Sequence, residues 1–311
     1  MSDFIGNLST VSLQVLILFL LVAIGYACGK AKILNETAVK AISTLCLTFA
    51  TPAVIIKSFI RPFSADMAYS LVFSIIAATL CHVIGIGIAH AVFRKGDIAK
   101  RNVLRASAVL SNAGFMGLPL QAAILGNEGT FFGSAYVIIF TLFLWTYGFV
   151  TLSAGKEKLS IKKLVLNPGV IAVIIGIPLF VFSVETPEII TTTVNHVANL
   201  NTPLPMIVVG YYLSKTSFKN AFSKNMNYPA IIVRLFVIPL ASVLVLYLLG
   251  FRGSLFVSNI ISVSTPIAVA VTMFTSRFDG DTELSANMVS VSTLFSILSM
   301  PLIVAFAQTI A

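Results

Sequence analysis

Apolar runs of about twenty residues recur along the whole chain, and the short loops between them hold almost all of the charge. That pattern leaves few folds open. Of the 311 residues, 58% are hydrophobic and 10% charged, with a mean hydropathy of +1.00. A soluble domain of this size has no interior large enough to hide so much apolar surface. The chain reads as an all-α polytopic membrane protein whose first partner is the lipid bilayer. Its first run, from about Val11 to Cys28, is long for a signal-peptide core and has no basic segment before it, so it reads as a genuine span. Cys28, Cys46 and Cys81 all fall in apolar runs with no metal-ligand spacing, and read as small packing residues.

A hydrocarbon layer about 30 Å thick takes about 20 residues of helix. On that measure the sequence predicts ten spans, at 9–28, 38–59, 67–93, 103–125, 130–153, 168–184, 190–213, 228–249, 254–276 and 284–309. Lysines and arginines orient them. Sixteen lie in loops on one side: Lys30, Lys32 and Lys40; Arg94, Lys95, Lys100, Arg101 and Arg105; Lys156, Lys158, Lys162 and Lys163; Lys215, Lys219 and Lys224; and Arg277. Only Lys57, Arg61 and Arg252 lie on the other. The asymmetry puts the first set in the cytoplasm and both termini outside a plasma or inner membrane. The net charge of +9 therefore reflects topology, and no nucleic-acid partner is expected.

Ten spans divide into two halves, 1–155 and 156–311, that would run in opposite directions. Thr44, Thr48, Thr51 and Pro52 in span two are echoed by Asn195, Asn199, Thr202 and Pro203 in span seven, each 151 residues later. Thr141-Leu142-Phe143 recurs 152 residues on as Thr293-Leu294-Phe295, and Pro119 of span four is followed 147 residues later by Pro266 of span nine. Inverted repeats with helices broken at corresponding positions point to the binding site of a secondary transporter.

The stretch SNAGFMGLPLQ, 111–121, is where a span should be most regular and is least so. Proline removes a donor and clashes with the carbonyl four residues back. In lipid such a break survives only where protein or a water-filled cavity satisfies the freed groups. If spans four and nine both break at mid-depth, from opposite sides, two helix N-termini face one central space, each with about half a positive charge. That space suits a small organic anion such as a carboxylate. Gly114 and Gly117 would let backbone approach it, and Ser111, Asn112, Ser264 and Thr265, beside Pro119 and Pro266, would add hydrogen bonds. The stripes of spans two and seven, with Thr51, Asn199 and Thr202, would line a watery vestibule.

Asn112-Ala113-Gly114-Phe115-Met116-Gly117-Leu118-Pro119-Leu120 resembles the crossover segment of the auxin efflux carrier family, which includes plant PIN carriers and bacterial permeases annotated for malate or malonate. Asn167-Pro168, Thr202-Pro203 leading to Gly210, and Ser264-Thr265-Pro266 are similar to its later landmarks. The resemblance covers nearly the whole chain. It implies ten helices in two inverted repeats, with spans four and nine crossing at their prolines and a site on Asn112, Pro119 and Pro266. It also implies a scaffold of spans one, two, six and seven, an elevator-like movement of the rest, and a homodimer. The long hydrophilic loop of the long plant carriers is missing.

All eleven acidic residues lie in loops or at span edges, which argues against a sodium/proton antiporter. Sodium-coupled symport stays open through carbonyls and hydroxyls alone, as does an anion channel using the same half-helix dipoles. No enzyme signature is present, and nothing calls for a cofactor. His82, deep in span three, reads as a helix–helix contact. Arg234, about seven residues from the cytoplasmic end of span eight, reads as snorkelling towards that surface.

Overall fold

The computed structural model describes residues 2–154, 165–216 and 227–311. The boundary expected at 155/156 lies outside the described residues, as do Lys156, Lys158, Lys162, Lys163, Lys219 and Lys224. Among the described residues all regular structure is helical, and the one β-bridge is isolated.

Helix α1 (Ser2–Lys30) carries Asp3 in its first turn and Lys30 in its last, each matched to the helix dipole. Asn35 caps α2 (Glu36–Leu45) by accepting from the Ala38 N–H at 2.8 Å, and α2 continues through a π-helical turn, Cys46–Ala50, into α3 (Thr51–Phe59). After α4 (Ala65–Val92), Asp97 caps α5 (Ile98–Val109). A second π turn, Ala113–Gly117, leads into α6 (Leu118–Phe143), and a third, Leu144–Gly148, into α7 (Phe149–Ser153). The second part comprises α8 (Pro168–Val181), α9 (Glu188–Asn199) and α10 (Pro203–Lys215). Then come α11 (Asn227–Ile232), a π turn at Val233–Val237, α12 (Ile238–Leu248), α13 (Gly253–Ser264), α14 (Val269–Arg277) and α15 (Thr282–Ile310).

Three of the π turns end two residues before a proline: Pro52, Pro119 and Pro239. The ring cannot donate and crowds the carbonyl four residues back. A wider turn relieves this, sending the N–H of Thr51, Leu118 and Ile238 to the carbonyl five residues earlier, on Cys46, Ala113 and Val233. Within α6, Gly126 sits at φ 62°, ψ −147° and turns the chain back on itself. The side chain of Gln121 consequently lies against Gly133, which a straight helix would place about 18 Å away.

Among the described residues, six stretches are long and apolar enough to cross a membrane: Asp3–Lys30, Glu36–Phe59, Ala65–Val92, Ala113–Ser153, Tyr228–Leu248 and Thr282–Ile310. Helices α8 and α13 are apolar but shorter than a full span. Of the ten expected segments, 103–125, 190–213 and 254–276 are each interrupted by non-helical residues.

Helix α1 packs along α10 and α15, while α3 lies against α8 and α9. The remaining helices gather around α6, α13 and α15. The α1–α10 contact is close because both faces are small. A Cβ added at Gly25 would run into the backbone of Ile207, and one at Gly210 into the backbone of Val22.

Candidate functional site at the helix crossover

Helix α5 stops at Val109, and Leu110 is extended at φ −87°, ψ 109°. Helix α13 stops at Ser264, and Thr265 is extended at φ −65°, ψ 153°. The two extended stretches cross antiparallel. Ser111 bridges to Ile267, the Asn112 N–H donates to the Pro266 carbonyl at 2.8 Å, and the Ala268 N–H donates to the Leu110 carbonyl at 3.0 Å. Backbone groups with no partner in their own helix thus satisfy each other, as an apolar surrounding demands. Beyond the crossing, the Ala113–Gly117 turn and α14 begin two new helices.

Arg234 overturns its sequence reading. It does not snorkel; it is fully buried at the crossing. Its guanidinium donates to the carbonyls of Ala108 and Val109 at 3.0 Å, of Thr265 at 3.2 Å, and of Val263. These are the terminal carbonyls of α5 and α13, which no helical N–H can reach. Two negative helix ends converge there, and the π turn that holds Arg234 aims it at them.

The remaining predicted residues fall into two groups. At the crossing, Ser111, Asn112, Gly117, Ser264, Thr265 and Pro266 are all buried. Ser111 Oγ lies 3.4 Å from Tyr136 Oη, and the Thr265 hydroxyl donates to the Ser262 carbonyl. Asn112 Nδ2 and Ser264 Oγ are buried without a hydrogen-bond partner. A Cβ on Gly114 would meet only open space, whereas Gly117 packs at ordinary distance against Ser262.

The second group lines a cavity of about 240 Å³ between α6 and the α9–α10 break. Pro119, Asn199 and Thr202 border it, together with Lys57, Asn127 and Thr130. A neighbouring cavity of about 190 Å³ shares Lys57 and Asn127 and adds Thr191 and Asn195. Two corrections follow. Pro119 is not at the crossing: the π turn absorbs it into α6, and the chain breaks earlier, at 110–112. Thr51 does not border the cavity, because its buried hydroxyl donates to Asn201 Oδ1 at 2.7 Å, tying the start of α3 to the α9–α10 break.

Sequence reasoning missed three residues here. In the sequence Lys57 stands out only as a topology marker. Asn127 gave no signal. Gln121, though inside the conspicuous 111–121 stretch, was not singled out; its Nε2 donates to the Ser258 carbonyl at 2.8 Å and to Ser262 Oγ at 2.7 Å, binding α6 to α13. His82 stacks on Phe143 with centroids 4.7 Å apart and hydrogen-bonds the Ala78 carbonyl, as a helix–helix contact should. Among the described residues no cluster of His, Cys, Asp or Glu is arranged to hold a metal ion.

The chain is similar over nearly its full length to known membrane proteins. A family model described as membrane transport protein matches residues 10–304. An uncharacterized transporter of Methanothermobacter thermautotrophicus is 28% identical over 305 residues, covering 96% of this chain and 98% of the relative. Another uncharacterized transporter, from Methanocaldococcus jannaschii, is 25% identical over 298 residues, covering 93% of this chain and 96% of the relative. The family match spans nearly the whole chain, and the chain belongs to the membrane transport protein family, that of the auxin efflux carriers.

Proposed function

We propose that the protein is a secondary transporter of a small organic anion, a carboxylate, working by alternating access. The observation that carries this reading is the crossing itself. Two helices start beside an asparagine whose Nδ2 is buried and unpartnered, so donors and positive helix ends stand ready for an anion. Lys57 borders both cavities beyond the crossing and gives an approaching anion a cation. The ten expected segments would act as two inverted five-helix repeats. Two features support this: the half-helices α5 and α13 are both 12 residues long, and their extended ends pair antiparallel. Helices α1, α3, α8, α9 and α10 would form the scaffold, with the crossing carried past them.

A thermal-shift screen of mono- and dicarboxylates, with and without Na⁺, tests the substrate class. At a concentration one hundred times its Kd, a true ligand stabilises the folded state by about 2.7 kcal/mol. A panel in which no carboxylate raises the melting temperature would overturn the reading. Counterflow in liposomes separates a carrier from a channel built on the same dipoles: a carrier shows saturable exchange of trapped substrate, a channel single-channel current.

The orientation is tested separately. In a chain whose own three cysteines are replaced, a cysteine at Lys95 should resist an impermeant thiol reagent in intact cells. One at Arg252 should react, and the opposite pattern would invert the topology.

A further inference from the structure

The electrostatics of the crossing hinge on a residue that the proposed function leaves unused. Four helix ends meet there. The C-terminal ends of α5 and α13 each carry about half a negative charge, and the starts of the following helices each carry about half a positive one. Left alone, the four cancel, and the crossing offers an anion no net attraction. Arg234 changes that balance. Its single positive charge sits against the last carbonyls of both C-terminal ends and is fully buried, so solvent does not screen it. The partners of Arg234 are backbone carbonyls, and no acidic side chain is among them.

We infer that Arg234 is a resident counter-cation of the crossing: a tethered guanidinium that neutralises the two helix C-termini, fixes the antiparallel crossing, and leaves the opposing N-termini with a net positive charge. Arg234 is a positioning residue, since four of its five N–H donors are spent on backbone carbonyls of the two helix ends. Broken helices elsewhere present such carbonyls to a bound metal cation; here the chain supplies its own. The planar fork suits the task, because one group must reach carbonyls on two helices at once, which a lysine ammonium cannot match. The charge argument deepens the carboxylate reading and rests on it, whereas the neutralising and fixing role stands apart from it.

The test uses the purified full-length protein and reads thermal unfolding first. Arg234→Ala should melt well below wild type, by about 5 °C or more, since terminal carbonyls then lie buried and unpaired. Millimolar guanidinium chloride should restore at least half of that loss, and tetramethylammonium, too large and without donors, should not. Wild type should respond to neither. Arg234→Lys and Arg234→Gln guard against a variant that fails to fold. Lysine should recover part of the stability and glutamine less, because it reaches two carbonyls without charge. An Arg234→Ala protein as stable as wild type, a loss indifferent to guanidinium, or glutamine equal to arginine would each overturn the inference. Binding of malonate, followed in parallel, should weaken at least tenfold in Arg234→Gln. If guanidinium restores stability but no carboxylate ever binds wild type, the carboxylate reading fails and the structural role of Arg234 stands.

Discussion

A Gly210→Leu chain is expected not to accumulate as folded protein. Gly25 and Gly29 on α1 face Gly210 and Ser214 on α10, so each helix presents two small residues one turn apart to its partner. Residues four apart share a helix face, which makes the two pairs meet as flat surfaces and lets the backbones approach. What a new side chain would strike decides the size of the effect. At Gly210 a Cβ meets the Val22 carbonyl and the Tyr26 nitrogen, and at Gly25 it meets Ile207 backbone, so no rotamer change can relieve it. At Gly29 the first obstacle is the Ser214 hydroxyl, which can rotate away at the cost of its bond to the Tyr211 carbonyl, while Ser214 Cβ at 2.9 Å must give slightly. Gly210→Leu and Gly25→Leu must therefore part the two helices, a disruption in the class above about 4 kcal/mol. Gly29→Ala should be much milder. Gly87, with nothing within 4 Å, is the control, and Gly87→Ala should be neutral or stabilise by up to about 1 kcal/mol. Size-exclusion profiles and thermal unfolding in detergent read all four. A monodisperse Gly210→Leu protein melting like wild type would show that α1 and α10 do not pack as described.

Much of this architecture is legible in the sequence because membrane solvation constrains sequence strongly. Length and apolarity set where helices lie, and the lysine and arginine asymmetry rests on the same one-dimensional information. The existence of breaks in spans four and nine is legible as well, from Pro119 and Pro266. Their exact position in α5–α6 is not. Proline is the visible residue, but a π turn at Ala113–Gly117 accommodates Pro119, and the backbone opens where Ser111 and Asn112 can pair with Pro266 and Ile267. That pairing spans more than 150 residues, and no local pattern encodes it. Arg234 shows the same limit. Counting residues to the nearest loop pointed to the membrane surface, because the carbonyls that attract its guanidinium belong to helices α5 and α13, far away in sequence. Thr51 illustrates the converse. In the sequence it belongs to a polar stripe expected to line a vestibule, but its hydroxyl serves Asn201 beside the α9–α10 break, and it does not border the cavity of about 240 Å³ there.

Asn112→Ala should separate stability from transport more sharply than any other substitution in the chain. Asn112 is 6% exposed and its Nδ2 is buried without a hydrogen-bond partner, an arrangement that costs the folded protein about 1–3 kcal/mol. Alanine removes that penalty and leaves the backbone bond to Pro266 in place, so the melting temperature should hold or rise. If the amide is held ready for a carboxylate, the same change withdraws a donor that only substrate satisfies. Hydrogen bonds to charged groups contribute about 1.5–3 kcal/mol, which corresponds to a loss of roughly tenfold to a hundredfold in apparent affinity or exchange rate. Asn112→Asp sharpens the test, because it keeps the shape and replaces the donor with a negative charge in the space proposed for an anion. It should abolish carboxylate exchange outright. Counterflow in liposomes, run beside thermal unfolding of the same preparations, gives both quantities. Normal exchange by a folded Asn112→Ala protein would remove Asn112 from the site, whereas a large fall in melting temperature would mean that its amide has a structural partner after all. Opposite signs for stability and transport are the signature of a residue kept for its ligand at the expense of the fold.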